Sequence, residues 1–180
     1  MTTRPLSAST IGVGAMPATG HEARIEATAA ERETIAGDYG LVEVRALGGD
    51  VSVNREAGDS IVVEGRVTAE IVQNCVVSFE PVVQSIDEAF VVRYVGAGAP
   101  GAPAAPKPGA EVHLDPNAEP PDLLTGDDLD LGAVVLEHFA LAIDPYPRAP
   151  GAAVPVETGE ATGPTGDSPF AVLAKLTGRH

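Results

Sequence analysis

The feature that most constrains the fold is an alternation of apolar and polar residues between positions 61 and 71. The apolar positions carry Ile61, Val63, Val67, Ala69 and Ile71. The positions between them carry Glu64, Arg66, Thr68 and Glu70. Successive side chains of a β-strand point to opposite faces, so this period of two predicts a strand with one buried face and one solvated face.

The same period continues over residues 41–95 and predicts a meander of strands. Gly48-Gly49-Asp50 and Ala57-Gly58-Asp59-Ser60 have the composition of turns between neighbouring strands. Pro81 predicts an edge or a break, because proline has no N–H group to donate to a neighbouring strand. Strands that follow one another through short turns pair antiparallel, so we expect an antiparallel sheet with one solvated face.

Helix signals stand before and after this sheet. Residues 28–31, Thr-Ala-Ala-Glu, have the form of a capping box, which predicts a helix from there to about Asp38. Residues 131–143 are apolar around most of the helix circumference, which predicts a helix buried on more than one side. Ser168-Pro169 is a helix start signal and predicts a short amphipathic helix. The predicted fold class is therefore α+β, with one helix before the sheet and two helices after it.

Glycine, alanine and proline are concentrated in a few segments that contain little apolar bulk. The chain has 20 Gly and 16 Pro among its 180 residues, a share that predicts disordered linkers beside a folded part. The predicted organisation is a flexible leader at 1–20, an α+β domain at 21–147 with a mobile insertion at 96–121, a linker at 148–167 and a docking helix at 168–177.

The charge balance restricts the partners that the chain can bind. It has 26 acidic residues against 11 Lys and Arg, a formal net charge of −15. Such a chain repels the phosphate backbones of naked RNA and DNA, because these are bound by matching Lys and Arg. A basic protein partner suits the charge, and solubility alone is an equally simple explanation for it.

The N-terminal residues and the apolar stretches predict a cytoplasmic protein that is not embedded in a membrane. Residues 1–9 lack the charged-then-apolar pattern of a signal peptide. The longest apolar stretch, around 131–143, is interrupted by Glu137 and His138 and is shorter than the about 20 residues that span a bilayer.

Several residues are of types that can act in catalysis or metal binding, and each has a simpler structural explanation. Cys75 lies in a Val-rich strand with no base nearby in the sequence, so we interpret it as a small buried apolar residue rather than a reactive thiol. Glu137 and His138 are neighbours in a helix and point about 100° apart, which favours a polar edge over an acid–base pair. The acids of 127–130 lack the spacing of a calcium loop and are explained by a helix N-terminus. We predict no catalytic residue, no metal ligand and no cofactor.

Three segments in a fixed order carry a resemblance to a known family. They are Gly65–Phe90 (GRVTAEIVQNCVVSFEPVVQSIDEAF), Asp128–Pro147 (DLDLGAVVLEHFALAIDPYP) and Ser168–Leu176 (SPFAVLAKL), with a variable insertion between the first two. This arrangement, together with the capped helix before the sheet, resembles the YceD-like family, which is tied to the accumulation of large-subunit ribosomal RNA. The resemblance covers most of residues 20–176, apart from the two linkers.

The resemblance implies a role in maintaining or processing large-subunit ribosomal RNA, coupled to a ribosomal protein. Many relatives carry a Cys-x-x-Cys pair in the strand region, and some add a second pair, which suggests zinc. Here Cys75 holds the first position and Ser78 the second, and residues 149–165 contain no cysteine. A structural zinc ion needs four ligands, so this branch of the family is expected to be free of metal.

The combined prediction is a non-enzymatic factor in ribosome biogenesis. Its acidic surface would bind a basic ribosomal protein or assembly factor, and its contact with ribosomal RNA would be indirect. Two alternatives stay open: a metal-dependent RNA-processing enzyme that gathers distant acids such as Asp87 and Asp127, and an interaction module unrelated to ribosomes. The residues predicted for an interaction surface are Arg66, Thr68 and Glu70 on the long strand and Phe170, Leu173 and Leu176 on the terminal helix.

Overall fold

A computed structural model gives the fold of residues 3–56, 60–96, 98–99, 102 and 120–153. The described residues up to Pro150 belong to one compact unit, and a second unit, Gly151–His180, is described only at residues 151–153. Most of the predicted insertion at 96–121 and all of the predicted helix at 168–177 lie outside the described residues.

The described residues form eight strands and two α-helices. In chain order the strands are β1 (Thr3–Arg4), β2 (Thr10–Gly12), β3 (His21–Glu26), β4 (Glu43–Arg55), β5 (Ile61–Asn74), β6 (Pro81–Gly96), β7 (Asp122–Leu124) and β8 (Asp128–Asp130). The helices are α1 (Ala29–Asp38), between β3 and β4, and α2 (Leu131–Ala142), directly after β8. The α+β class is confirmed. The predicted position of the first helix ahead of the sheet is wrong, because β1 and β3 of the same sheet precede it.

Six strands form one mixed sheet in the order β1-β3-β4-β5-β6-β7. The four central strands pair antiparallel, as predicted, but β1 and β7 pair in parallel with β3 and β6. The prediction of a purely antiparallel sheet is therefore wrong at both edges. Strands β1 and β7 are too short to show a period of two, and a long stretch of chain separates each of them from its partner strand.

The alternation in β5 gives the sheet its two faces. On one face the apolar residues Ile61, Val63, Val67 and Ile71 are at most 1% exposed. The opposite face carries Glu64, Arg66 and Thr68, which are exposed, as the sequence predicts.

The buried face lacks a side chain at Gly65, and a neighbouring aromatic ring covers the gap. Gly65 pairs with Phe90 on β6, and a Cβ atom on this glycine would lie 2.9 Å from Cε1 of the Phe90 ring. The ring of His138 on α2 stacks on the Phe90 ring, with centroids 4.1 Å apart and planes inclined by 6°. His138 is therefore a packing residue at the contact between α2 and β6.

Both helices begin at caps that satisfy their first backbone donors. Thr28 and Glu31 form the predicted capping box of α1: the Glu31 N–H donates to Thr28 Oγ1 at 3.2 Å, and the Thr28 N–H donates to Glu31 Oε2 at 2.7 Å. Asp130 caps α2 by accepting from the Ala133 N–H at 3.0 Å. Helix α2 buries Leu131, Val134, Val135 and Phe139 against the sheet, whereas Leu141 is 74% exposed.

Residues 3–20, where the sequence predicts a flexible leader, carry two strands and two 3-10 turns. Strand β2 pairs antiparallel with β8, and Leu6 and Val13 are buried in the core. The Ser9 carbonyl accepts a hydrogen bond from the Leu131 N–H at 3.2 Å. The segment is ordered by contacts with residues far along the chain, and no local pattern reveals such contacts.

Candidate interaction surface

The predicted surface residues Arg66, Thr68 and Glu70 lie together on the solvated face of the sheet. Strand pairing places acids and bases of β3, β4 and β6 on the same face. We call this surface the charged face. It comprises Glu22, Arg24, Glu26, Arg45, Asp50, Glu64, Arg66, Thr68, Glu70 and Asp87.

Arg66 is held by Asp87 of the adjacent strand β6. The guanidinium group donates two hydrogen bonds to the carboxylate: Nε to Oδ1, and Nη2 to Oδ2 at 2.7 Å. These bonds lower the pKa of Asp87 and raise that of Arg66. Both side chains are more than half exposed, so water screens the pair and it adds little to stability. Its main effect is to fix the direction of the guanidinium fork.

The other two arginines of the charged face are also paired. Arg45 donates to Glu70 and Glu43, each at 3.0 Å, and the hydrogen bond with Glu70 is the main cause of its raised pKa. It projects from an irregularity in the pairing of β4 with β5, between Val44 and Ala46. Glu70 is therefore one member of an ion-pair group and not an isolated charge.

The third arginine, Arg24, contacts Glu26 at 3.0 Å and Asp50 at 3.5 Å. Among the residues named for the charged face, six carboxylates thus stand against three guanidinium groups, and the adjoining Glu43 and the Arg93–Glu56 pair do not remove this surplus. Within the described part of the chain, no cation lies within ion-pair distance of Glu22 or Glu64. The face therefore carries a surplus of negative charge, which attracts basic groups.

A shallow depression of about 430 Å³ lies on the charged face. Ala46 and Gly48 line it and leave the space open, because they carry little or no side chain. Arg45 and Glu70 also line it, and Arg32 reaches it from α1 while donating to the Ala27 carbonyl at 2.7 Å. The lining therefore mixes charged side chains with small residues.

Cys75 is fully buried, as predicted, but its sulfur has an environment that the sequence did not reveal. Sγ accepts hydrogen bonds from the backbone N–H groups of Ala149 at 3.3 Å, Ser78 at 3.3 Å and Val77 at 3.4 Å. These donors, with Ala149 the strongest, lower the pKa of the thiol to about 6, because they favour the charged form. The sequence shows a cysteine among apolar residues, whereas the folded turn provides a site for a thiolate.

The turn that holds Cys75 also exposes apolar side chains. Phe79 is 77% exposed and has a φ of 61°, a left-handed conformation that is uncommon for a residue with a side chain. Val76 donates its N–H to the Pro147 carbonyl at 2.9 Å, which joins the turn to the segment after α2. Tyr146 of that segment is 72% exposed.

The acids considered for a metal site lie in separate structural roles. Asp130 caps α2, the Asp127 carbonyl accepts from the Val13 N–H at 2.7 Å, and Asp128 pairs with Gly12 in the small sheet. Asp87 is bonded to Arg66. No three His, Cys, Asp or Glu side chains among the described residues come together in an arrangement that could hold a metal ion.

The second half of the predicted surface, Phe170, Leu173 and Leu176, lies outside the described residues, so its placement stays a prediction. Neither helix in the described part of the chain has the length and apolar character needed to cross a membrane.

Comparison with known proteins identifies the family. The family model described as large ribosomal RNA subunit accumulation protein YceD matches residues 63–177. The chain belongs to the YceD family. The matched region begins in β5 and includes β6, β7, β8 and α2, so it contains the part of the charged face that Arg66, Thr68 and Glu70 form. Searches of curated proteins and of solved structures found no match.

Proposed function

We propose that this protein is a non-enzymatic factor in the accumulation of large-subunit ribosomal RNA and that it works in the cytoplasm. The observation that carries the proposal is membership of the YceD family over residues 63–177. The family's description names an accumulation role and no reaction. The protein would therefore act by binding rather than by chemistry.

The partner that we propose is a basic ribosomal protein or assembly factor. The net charge of −15 and the surplus of carboxylates on the charged face both favour a cationic partner. The same charge opposes direct binding to RNA, because the phosphate backbone is attracted by Lys and Arg. Contact with ribosomal RNA would then pass through the partner.

The depletion experiment tests the role. The protein is depleted in its native host, growth rate is matched, and the ratio of large-subunit to small-subunit ribosomal RNA is measured. We expect a selective fall in the large-subunit RNA. An unchanged ratio would contradict the proposed function.

A complementation experiment tests the charged face. In the depleted host, Glu22→Lys/Glu64→Lys replaces two carboxylates of the face that lack a cationic contact among the described residues. We expect this variant to fail to restore the ratio, because it removes the negative surplus. The matched control is Glu33→Lys/Asp38→Lys, with the same charge change at exposed positions of α1. Equal complementation by both variants would count against the charged face as the binding surface.

A further inference from the structure

The outer edge of β6 is the longest unpaired strand edge in the described part of the chain. Strand β6 runs for 16 residues and pairs with β5 along its inner side. On its outer side β7 pairs only with the last three residues, Tyr94–Gly96. From Pro81 to Arg93 no described strand lies on that side. An open edge of this length is a template for an additional strand.

The hydrogen-bonding groups of this edge can be assigned from the hairpin that joins β5 to β6. The Cys75 N–H donates to the Glu80 carbonyl at 2.8 Å, which makes these two residues a hydrogen-bonded pair. Such pairs alternate along an antiparallel ladder, and the register from Asn74–Pro81 to Ile61–Tyr94 has no break. The residues whose backbone groups point outward are therefore Val83, Ser85, Asp87, Ala89, Val91 and Arg93.

The chain's own strand stops at a defined point on this edge. Strand β7 runs parallel to β6, with Asp122 opposite Tyr94. If β7 were extended along β6 toward Arg93, its next residues would be Pro121 and Pro120. Proline has no N–H group and cannot extend the ladder. The edge is therefore compatible with strand pairing, as β7 shows, and no described residue continues that pairing beyond Asp122.

The side chains along the open edge select the chemistry of a guest strand. Glu88 is exposed although it belongs to the face that is buried elsewhere in the sheet, and among the described residues no cation contacts its carboxylate. An apolar guest would desolvate this carboxylate without compensation, whereas a Lys or Arg opposite it would pair with it. Val83 and Val91, 52% and 62% exposed, lie on the opposite face of the sheet from Glu88 and offer apolar contacts to the other side of a guest strand.

A second copy of this chain is a poorer guest than a basic segment. Antiparallel pairing of two β6 edges about a centre near Asp87 and Glu88 would bring carboxylates of both copies together. Like charges on directly opposed positions destabilise a sheet. A guest with basic residues at its centre and β-branched residues on both sides avoids this repulsion.

We propose that the edge of β6 from Val83 to Arg93 binds an extended, Lys- or Arg-containing segment of the protein partner by strand addition. The inference rests on the proposed function for the existence of a basic partner, and it names the site and the mode of binding. Main-chain hydrogen bonds to the outward groups supply affinity, and Glu88 supplies the preference for a basic residue.

The direct test uses a synthetic peptide and the full chain. The probe is a peptide of about 12 residues that alternates Val and Thr and carries two Lys at its centre. We expect it to slow hydrogen exchange at the outward amides, such as Ala89, and to leave the inward amides unchanged. A peptide of the same sequence with N-methylated backbone positions keeps the charge and removes the main-chain donors. We expect its affinity to be weaker by about tenfold or more.

Two outcomes of the peptide experiment would overturn the proposal. The first is equal binding of both peptides, which would show charge attraction without strand pairing. The second is a free protein whose outward amides are already protected, whether by residues of this chain or by a second copy. Light scattering on the free protein distinguishes the two cases, because only pairing with a second copy doubles the mass.

Two variants test the backbone and the charge separately. Ala89→Pro removes one outward N–H from an edge position, and Glu88→Lys removes the attraction for a basic residue. We expect each to weaken binding of the Lys peptide by about tenfold or more. The control for charge is Glu33→Lys on α1, which should change the affinity by less than about twofold. If Ala89→Pro lowers the folded fraction, Glu88→Lys still decides the charge preference.

The same variants separate this inference from the proposed function. If depletion lowers the ratio of large- to small-subunit ribosomal RNA but Ala89→Pro and Glu88→Lys both restore it, the edge is not the partner site and the proposed function stands. If depletion leaves the ratio unchanged, the proposed function fails whatever the peptide binds.

Discussion

Glu31 connects two parts of the chain at the start of α1. Its carboxylate accepts from the Thr28 N–H at 2.7 Å and from the Ser7 N–H at 2.8 Å. Partial burial raises its pKa, but the hydrogen bonds from Ser7 and Thr28 outweigh burial and lower the pKa to about 2. The capping box was predictable from the local sequence, whereas the bond to Ser7 was not.

The lowered pKa of Glu31 predicts a pH dependence of stability. A carboxyl group whose pKa falls on folding stabilises the folded state above its unfolded value of 4.5, and this contribution is lost as the pH falls toward about 2. We expect Glu31→Gln to lower the melting temperature at neutral pH and to have a smaller effect near pH 2. Thermal denaturation across this range measures it. A constant difference between variant and parent would contradict the role of the charge.

The lowered pKa of the Cys75 thiol also predicts a pH dependence of stability. The pKa of this thiol is lowered from 9.0 to about 6, so we expect a thiolate in the folded protein at neutral pH. The stabilisation is fully present above pH 9.0 and falls as the pH drops through about 6. We expect the ultraviolet absorbance of the thiolate to titrate near pH 6 in the folded protein. Cys75→Ala should lower stability more at pH 9 than at pH 6. Titration near 9 in the folded state would refute this.

At the scale of elements, the contact between α2 and the first turn depends on one glycine. A Cβ atom on Gly132 would overlap the Leu6 carbonyl group, whose carbon would be only 2.9 Å away. A glycine in a helix normally costs stability relative to alanine, so its presence here is explained by the close approach of the backbone.

The contact predicts opposite effects of the same substitution in the two helices. We expect Gly132→Ala to destabilise the fold by about 1–3 kcal/mol, because α2 or the Leu6 turn must move. Gly37→Ala in α1 meets nothing within 4 Å, and we expect it to stabilise the fold by about 0.5–1 kcal/mol. Urea denaturation of both variants measures the difference. A stabilising Gly132→Ala would show that the helix tolerates a shift.

The sequence predicted the elements that show a long alternation of apolar and polar residues or a local capping signal. Strands β4, β5 and β6 contain 13, 14 and 16 residues, and α1 has a local capping signal. Strands β1, β2, β7 and β8 contain only two or three residues each. Their pairing depends on distant partners, so neither the parallel edges nor the small sheet could be predicted.

The candidate surface was likewise predictable only where a local pattern marks it. The alternation of β5 placed Arg66 and Thr68 on a solvated face. It could not show that Asp87 holds Arg66 or that Arg45 holds Glu70, because those contacts depend on strand register.

At the scale of the whole molecule, the net charge of −15 sets the response to salt. Salt weakens the repulsion among surplus carboxylates and also weakens the exposed ion pairs of the charged face. The pairs contribute little, so relief of repulsion should dominate. We expect the melting temperature to rise by about 2–4 °C, equivalent to about 1 kcal/mol, as sodium chloride increases from low to moderate concentration. A falling melting temperature would show that the ion pairs matter more than the net charge.

The stack of His138 on Phe90 gives the protein an internal spectroscopic reporter. The imidazole lies flat over the phenyl ring at 4.1 Å, so the ring current of Phe90 shifts the His138 proton resonances upfield. Those resonances lose this upfield shift if α2 separates from β6 or the imidazole turns. Their positions in a nuclear magnetic resonance spectrum therefore tell whether a ligand at the sheet edge leaves the helix in place or displaces it.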